Sequence, residues 1–579
     1  MNTLIIRHLE DSDPPKFEVV REDGKHSEAV TVVPPVGFPV EGRPKSDLMR
    51  ELPWYLEDFL EYPFSPNTDR AQSILNSLDA WGQHAFGQLF GSGKGSIWYN
   101  DATKNGLGKL RLQIMSDDPS VLQWPWEALF DPEATYLALD CQIERRLNKV
   151  RDPVPLPKEL PTDRINILLV AARPFERDVH YRSISRPLVE LIDREKIPAR
   201  VQVLRPPTLE NLHKHLKERP GFYHIIHFDG HGEYVDAGGE PLGVLIFEDE
   251  NGSPEFVAAD QLSSMLRQHA IPMMVLNACR SAMLSQGAED PFASVAAALL
   301  KAGIRGVVAM AYSLYVSGAE VFLPAFYKEL FESGDLSSAT RAGRQKMFEK
   351  RKRLCARGRY ELKDFVVPVI YQQESYKLPF AKKVGEKVEE AKSELPEGAR
   401  DEENPYGFIG RDQEILKLER VMRKDTPAIL ITGLGGVGKT TLARGFLKWL
   451  NDTEGMAGCF WLTFIDIRSA EYVINAVGSG IFGTDFLVGS MEEKIGALAN
   501  VLKKNRFVIV WDNFEVVAGI PDSHVSANLS AEDRNILLSL LKKIRGGESK
   551  VIITSRSEEG WLGIQRIKLS TAKTKTRWN

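Results

Sequence analysis

Short apolar runs alternate with stretches of helical length along most of the chain. INILLVAAR (165–173), YHIIHF (223–228), PMMVLNA (272–278) and GVVAMA (306–311) carry few polar interruptions. Such runs are the mark of strands buried on both faces of a parallel sheet. ARVQVLRPP (199–207) predicts a further strand, and PFASVAAALLKAG (291–303) predicts a helix between two of them. Strand and helix in alternation predict an α/β sandwich around a mainly parallel sheet. Upstream, Ile74, Leu75, Leu78 and Trp81 recur at helical spacing and predict a helix over 68–89. GKLRLQI (108–114) predicts a strand, followed by a tryptophan-rich turn, LQWPWEALFDP (122–132). Pro153, Pro155, Pro157 and Pro161 then mark a boundary.

The pattern breaks over 381–403, where 13 of 23 residues are charged, as in a solvated linker. A second α/β pattern follows. The expected organisation is an N-terminal α/β region (1–155), an α/β core (160–375), a charged linker (376–404), a second α/β domain (405–570) and a frayed tail (571–579). The net charge of −5 argues against bulk attraction to nucleic acid. The stretch 341–359, with nine Lys/Arg, reads as a solvated helix face. No apolar run approaches the roughly 18 residues of a membrane span. The N-terminus lacks the apolar core of a signal peptide. The four cysteines are scattered without a CxxC pair, so no structural metal or disulfide framework is expected. These features place the chain in the cytoplasm.

Two residues promise chemistry in the first α/β core. His231 follows the run YHIIHF, in HFDGHG, and Cys279 ends the run PMMVLNA, in NACRS, 48 residues later. Both fall at carboxyl ends of predicted parallel strands, where open α/β sheets place their sites. A thiolate nucleophile needs a base within reach, and adjacent strands supply one. The spacing approximates a caspase-like His and Cys pair. A His⁺ neighbour already activates a thiol, so no third acid is required. His224 and His227 lie inside the strand and read as core residues.

The segments LRLQIMSDDPSVLQWPWEALFDP, YHIIHFDGHG, VLNACRSA and FASVAAALLKAGIRGVVAMAYSL resemble the CHAT family of caspase-like proteins, over about 110–370. The resemblance implies an α/β/α sandwich and a cysteine endopeptidase acting on a protein substrate. It implies His231 as general base, Cys279 as nucleophile, and an oxyanion hole from the backbone N–H groups of Gly232 and Cys279. Arg280 stands where many members carry an acid.

The second domain opens with ITGLGGVGKTT (431–441), a P-loop through Gly433, Gly438, Lys439 and Thr440 between a predicted strand and a predicted helix. Gly435, Gly436, Val437 and Thr441 complete the phosphate cradle. Successive backbone N–H groups and a helix N-terminus bind phosphate oxygens. ATP or ADP is therefore the expected cofactor, with Thr440 and Asp512 holding Mg²⁺. Asp512 ends the apolar strand of RFVIVWDNFE, a Walker B candidate, and Glu515 is a candidate for activating water. With KVIITSR (550–556) and YGFIGRDQEILKLERVM (406–422), residues 405–570 resemble the NB-ARC branch of the STAND signalling NTPases. That resemblance implies an adenine pocket lined by Phe408, Ile409 and Arg411, and a phosphate-sensing Arg556. It implies a sensor partner or a homo-oligomer formed through this domain. The helical and winged-helix parts that follow in that family are not found after the last strand. The expectation is a shortened module that binds nucleotide and hydrolyses it poorly. The leading expectation is a nucleotide-gated cysteine endopeptidase in prokaryotic signalling, defence or regulated cell death. The alternative is an inactive, nucleotide-dependent scaffold of the same architecture.

Overall fold

The computed structural model describes residues 2–569 except 11, 149–150, 177, 179–180, 182–184, 196, 237–240, 279–290, 375, 379–394, 401–407, 409 and 520–525. The chain divides into two compact units, Met1–Val388 and Glu389–Thr576.

The first unit is built on β1 (Asn2–Leu9), β2 (Lys16–Arg21), β3 (Val30–Thr31), β4 (Leu110–Met115), β5 (Gln142–Arg146), β6 (Ile165–Ala171), β7 (Ala199–Val203), β8 (Ile225–Asp236), β9 (Pro241–Glu248), β10 (Pro254–Ala258), β11 (Met273–Ala278), β12 (Gly306–Met310) and β13 (Pro368–Gln372). They form one mixed sheet in the order β10-β9-β8-β11-β12-β13-β5-β4-β1-β2-β3, with β6 and β7 joined on through β8. β6, β8, β11 and β12 run parallel, as the apolar runs require. β13 returns antiparallel to β12 and parallel to β5, and so carries the same sheet into the N-terminal region. Every residue of β6 is buried.

The predicted upstream helix spans Asn67–Phe90 and buries Ile74, Leu78 and Trp81. Trp81, Trp124 and Trp126 meet there around Phe17. The Trp81 indole N–H donates to the Val33 carbonyl at 3.0 Å, which meets the rule that a buried indole finds a partner.

The basic stretch 341–359 departs from the sequence expectation. It is helix only to Glu349, within Leu336–Glu349, and then a hairpin of Lys352–Cys355 and Gly358–Glu361. Two of its cations are core residues: Arg344 is 1% exposed and Arg353 is fully buried. Arg344 reaches Glu127, 217 residues away, at 2.8 Å. Arg353 meets both carboxylate oxygens of Asp364, at 2.6 and 2.7 Å. A buried guanidinium persists only when paired, and the local run of charge does not reveal such distant partners.

The second unit has a five-stranded, wholly parallel sheet of β14 (Ala428–Thr432), β15 (Gly458–Thr463), β16 (Phe507–Asp512), β17 (Lys550–Ser555) and β18 (Gln565–Lys568), ordered β15-β16-β17-β14-β18. Both units are α/β, as expected. β17 stands between the P-loop strand β14 and the Asp512 strand β16. Part of the expected linker also packs here. Residues Glu397–Ala399 form a turn of 3₁₀ helix, Ala399 is buried, and Arg444 Nε donates to the Gly398 carbonyl at 2.8 Å. A Cβ at position 398 would meet the Trp461 ring at 2.2 Å, so only glycine fits. Residues 379–394 and 401–404 of the linker, and the tail, lie outside the described residues. Among the described residues, no helix is long and apolar enough to cross a membrane.

Candidate functional sites

β8 changes neighbours along its length. From Ile225 to Asp229 it pairs in parallel with β6; from His231 to Asp236 it pairs antiparallel with β9. The strand therefore does not end before His231, as the sequence suggested. His231 opens the new ladder, opposite Ile246, and Gly232 lies opposite Leu245. On the other side, Gly230 pairs with Ala278 at the end of β11. Cys279 and Arg280 follow directly and lie outside the described residues.

The His231 side chain is 6% exposed. Its ring stands edge-on to Phe175, with centroids 5.2 Å apart. Its Nε2 is hydrogen-bonded to the Asp178 carboxylate, Oδ1. The other carboxylate oxygen, Oδ2, accepts the Phe175 backbone N–H at 2.9 Å. Both Phe175 and Asp178 belong to the loop that leaves β6. Nothing in the sequence singles out Asp178: a lone Asp 53 residues before the His has no diagnostic spacing, and only the β6–β8 pairing brings it there.

Beneath this pair lies a buried polar layer. Arg173 Nη2 stands 2.5 Å from Asp229 Oδ2, and Asn277 Nδ2 donates to Asp229 Oδ1 at 3.1 Å. Asp229 and Asn277 each precede a candidate site residue by two positions. The Arg173 backbone N–H donates to Glu248 at 2.9 Å. His224 and His227 are enclosed in the core, and burial pushes both down to about 4. His227 Nδ1 meets the Tyr327 hydroxyl at 2.9 Å. His224 uses Nδ1 to accept the Asn166 N–H at 3.1 Å. Of the other cysteines, Cys141 and Cys355 are buried and Cys459 is half-buried. Burial raises the Cys141 thiol, and raises Cys459 to about 11, so neither is poised as a thiolate.

In the second unit the P-loop leaves β14 and enters the helix Lys439–Asp452. Gly436 and Gly438 have φ of +74° and +91°, a region costly for other residues. A Cβ on Gly433 would come within 2.8 Å of the Leu569 carbonyl. Lys439 Nζ donates to the Gly433 and Leu434 carbonyls, both at 3.0 Å. Partial burial lowers its pKa, against the opposing pull of Glu515. Thr440 Oγ1 donates to Asp512 Oδ1 at 2.9 Å, while Thr441 points to solvent. Two such oxygens are the hard donors Mg²⁺ prefers, so the residues fit the ion. Thr554 Oγ1 also donates to Asp512 Oδ1, at 2.5 Å. Arg556 Nε stands 3.1 Å from Glu515 and packs against Gly435 of the loop. Arg411 Nη2 donates to the Val437 carbonyl at 3.1 Å. The Phe408 ring lies against Gly445 on the P-loop helix, where a Cβ would approach within 2.6 Å. Ile409 lies outside the described residues.

Residues 97–383 match the family model of the CHAT domain, and residues 429–560 match that of the ATPase family associated with various cellular activities (AAA). The chain thus carries a domain of caspase-like protease fold and, after it in sequence, a nucleotide-binding module. No curated protein matches it. Among solved structures it is similar to Cdc6p of Pyrobaculum aerophilum, at 16% identity over 30% of this chain and 48% of that one, with a TM-score of 0.23. It is similar to the Drosophila ORC bound to DNA at 12% identity, over 30% of this chain and 45% of that one, with a TM-score of 0.23. It is also similar to the Saccharomyces cerevisiae separase–securin complex at 16% identity, over 55% of this chain and 20% of that one, with a TM-score of 0.27. The chain spans about half the length of the Cdc6p and ORC chains it matches.

Proposed function

We propose that this chain is a cysteine endopeptidase with Cys279 as nucleophile and His231 as base, coupled to an ATP- or ADP-binding module of the NB-ARC/STAND kind. The observation that carries the reading is the register: Gly230, directly before His231, pairs with Ala278, directly before Cys279. In this reading His231 takes the thiol proton as Cys279 attacks the peptide carbonyl, then returns it to the leaving amine. The N–H groups of Gly232 and Cys279 face the developing oxyanion. The P-loop from Gly433 to Thr440 binds the phosphates. Thr440 and Asp512 hold Mg²⁺, and Arg556 senses the terminal phosphate. Phe408, Ile409 and Arg411 flank the adenine. The module acts in the cytoplasm through a sensor partner or self-association, in signalling, defence or regulated cell death.

A thiol-reactive peptide probe tests the peptidase half. Labelling should map to Cys279, vanish in Cys279→Ala, fall sharply in His231→Ala, and persist in Cys141→Ala, Cys355→Ala and Cys459→Ala. Wild-type protein that leaves Cys279 unlabelled overturns the peptidase and favours the inactive scaffold.

A further inference from the structure

We propose that Asp178 is the positioning residue that sets the tautomer and orientation of the His231 ring; the consequence for catalysis rests on the peptidase reading above, whereas the tautomer itself does not. The side chains of His231 and Asp178 are only 6% and 5% exposed, so water competes weakly for their hydrogen bond. A carboxylate only accepts, so Nε2 must carry the proton that Asp178 receives. With that proton held on Nε2, the neutral imidazole has its basic lone pair on Nδ1. A catalytic His gains both orientation and tautomer from such a partner.

Asp178 is itself held. Its Oδ2 accepts the Phe175 N–H at 2.9 Å, and Phe175 closes on one edge of the imidazole. The loop is anchored below by Arg173, whose guanidinium also donates to the Asp229 carbonyl at 2.7 Å and the Ala172 carbonyl at 2.9 Å. β6 and β8 thus fix the acid and the base from two adjacent strands. Among the described residues, the polar layer beneath the pair also holds the carboxylates of Asp229 on β8 and Glu248 on β9. Asp229 faces Arg173 and Asn277, and Glu248 accepts from the Arg173 backbone.

This geometry makes a sharp prediction for Asp178→Asn. The Phe175 N–H demands an acceptor, so the amide oxygen takes the place of Oδ2. The amide NH₂ then faces Nε2, which must accept, and the imidazole proton moves to Nδ1. The test combines two measurements on the full chain. Nitrogen-15 NMR of histidine-labelled protein reads the tautomer, with His231→Gln identifying the signal. Iodoacetamide alkylation at neutral pH, followed by peptide mass spectrometry, reads the reactivity of Cys279. Wild type should hold the proton on Nε2. Asp178→Asn should move it to Nδ1 and slow Cys279 alkylation tenfold or more, with an unchanged melting temperature. Asp178→Glu, which restores an acceptor, should recover the wild-type tautomer. A wild-type tautomer in Asp178→Asn, with unchanged alkylation, overturns the proposal. Should the tautomer move while wild-type Cys279 shows no enhanced reactivity, the positioning role stands and the peptidase reading fails.

Discussion

The Thr440 hydroxyl donates to Asp512 Oδ1 at 2.9 Å, joining the first turn of the P-loop helix to the end of β16. The same oxygen accepts from Thr554 at 2.5 Å, and Asn513 Nδ2 lies 3.3 Å from Oδ2. The carboxylate is therefore oriented from three sides by the protein's own donors. Asp512→Asn keeps the shape and removes the charge. Thermal-shift titrations with ATP, with and without Mg²⁺, should show the Mg²⁺-dependent part of the stabilisation lost and the Mg²⁺-free part kept. An unaltered Mg²⁺ response in the variant would refute Asp512 as an ion ligand.

Lys439 caps two loop carbonyls at 3.0 Å in this conformation, so its charge lies over the phosphate cradle. Lys439→Ala should weaken ATP and ADP binding by about 1.5–3 kcal/mol, the value of a charge-assisted hydrogen bond, or roughly tenfold to 150-fold in Kd. Calorimetric titration checks this, and equal affinities for variant and wild type would remove Lys439 from the site.

His224 and His227 make the first unit sensitive to acid. Their folded pKa values are depressed to about 4 by burial, against about 6.5 in an unfolded chain. Between those limits the unfolded state binds more protons, so stability rises with pH. Stability should be greatest above about pH 6.5 and fall as the pH drops towards 4, by about 2 kcal/mol per histidine at pH 5. His227→Gln keeps a partner for Tyr327 without the titration. Its melting temperature should fall less than wild type between pH 7 and pH 5. Parallel curves for the two proteins would contradict this.

Glu127 is fully buried and meets both oxygens of its carboxylate with Arg145, at 2.6 and 2.9 Å, as well as Arg344 at 2.8 Å. Burial alone would raise its pKa; the two guanidiniums outweigh that and hold it low. Glu127→Ala leaves two buried cations short of a counter-charge and should cost about 3–5 kcal/mol. Arg359→Ala, at an exposed position of the same basic stretch as Arg344, should stay within about 0.5 kcal/mol. Chemical denaturation of the two variants distinguishes them, and similar losses would mean that burial does not separate these charges.

Local pattern determined much of this protein. Runs such as INILLVAAR and YHIIHF admit little but buried parallel strands, because their apolar faces are continuous on both sides. They appear as β6 and β8. ITGLGGVGKTT specifies its own loop, since positive φ at Gly436 and Gly438 and a following helix are properties of contiguous residues. The place of His231 after an apolar run is likewise a property of contiguous residues. What only the tertiary structure decided are contacts between segments far apart in sequence. β8 continues past His231 because β9 arrives to pair with it, a partner that local periodicity does not contain. Asp178 reaches His231, Thr554 reaches Asp512, and Arg344 sinks beside Glu127 for the same reason. The free energy of a buried charge or hydrogen bond depends on the partner and the water it excludes. Both are set by strand order, not by neighbours in the chain.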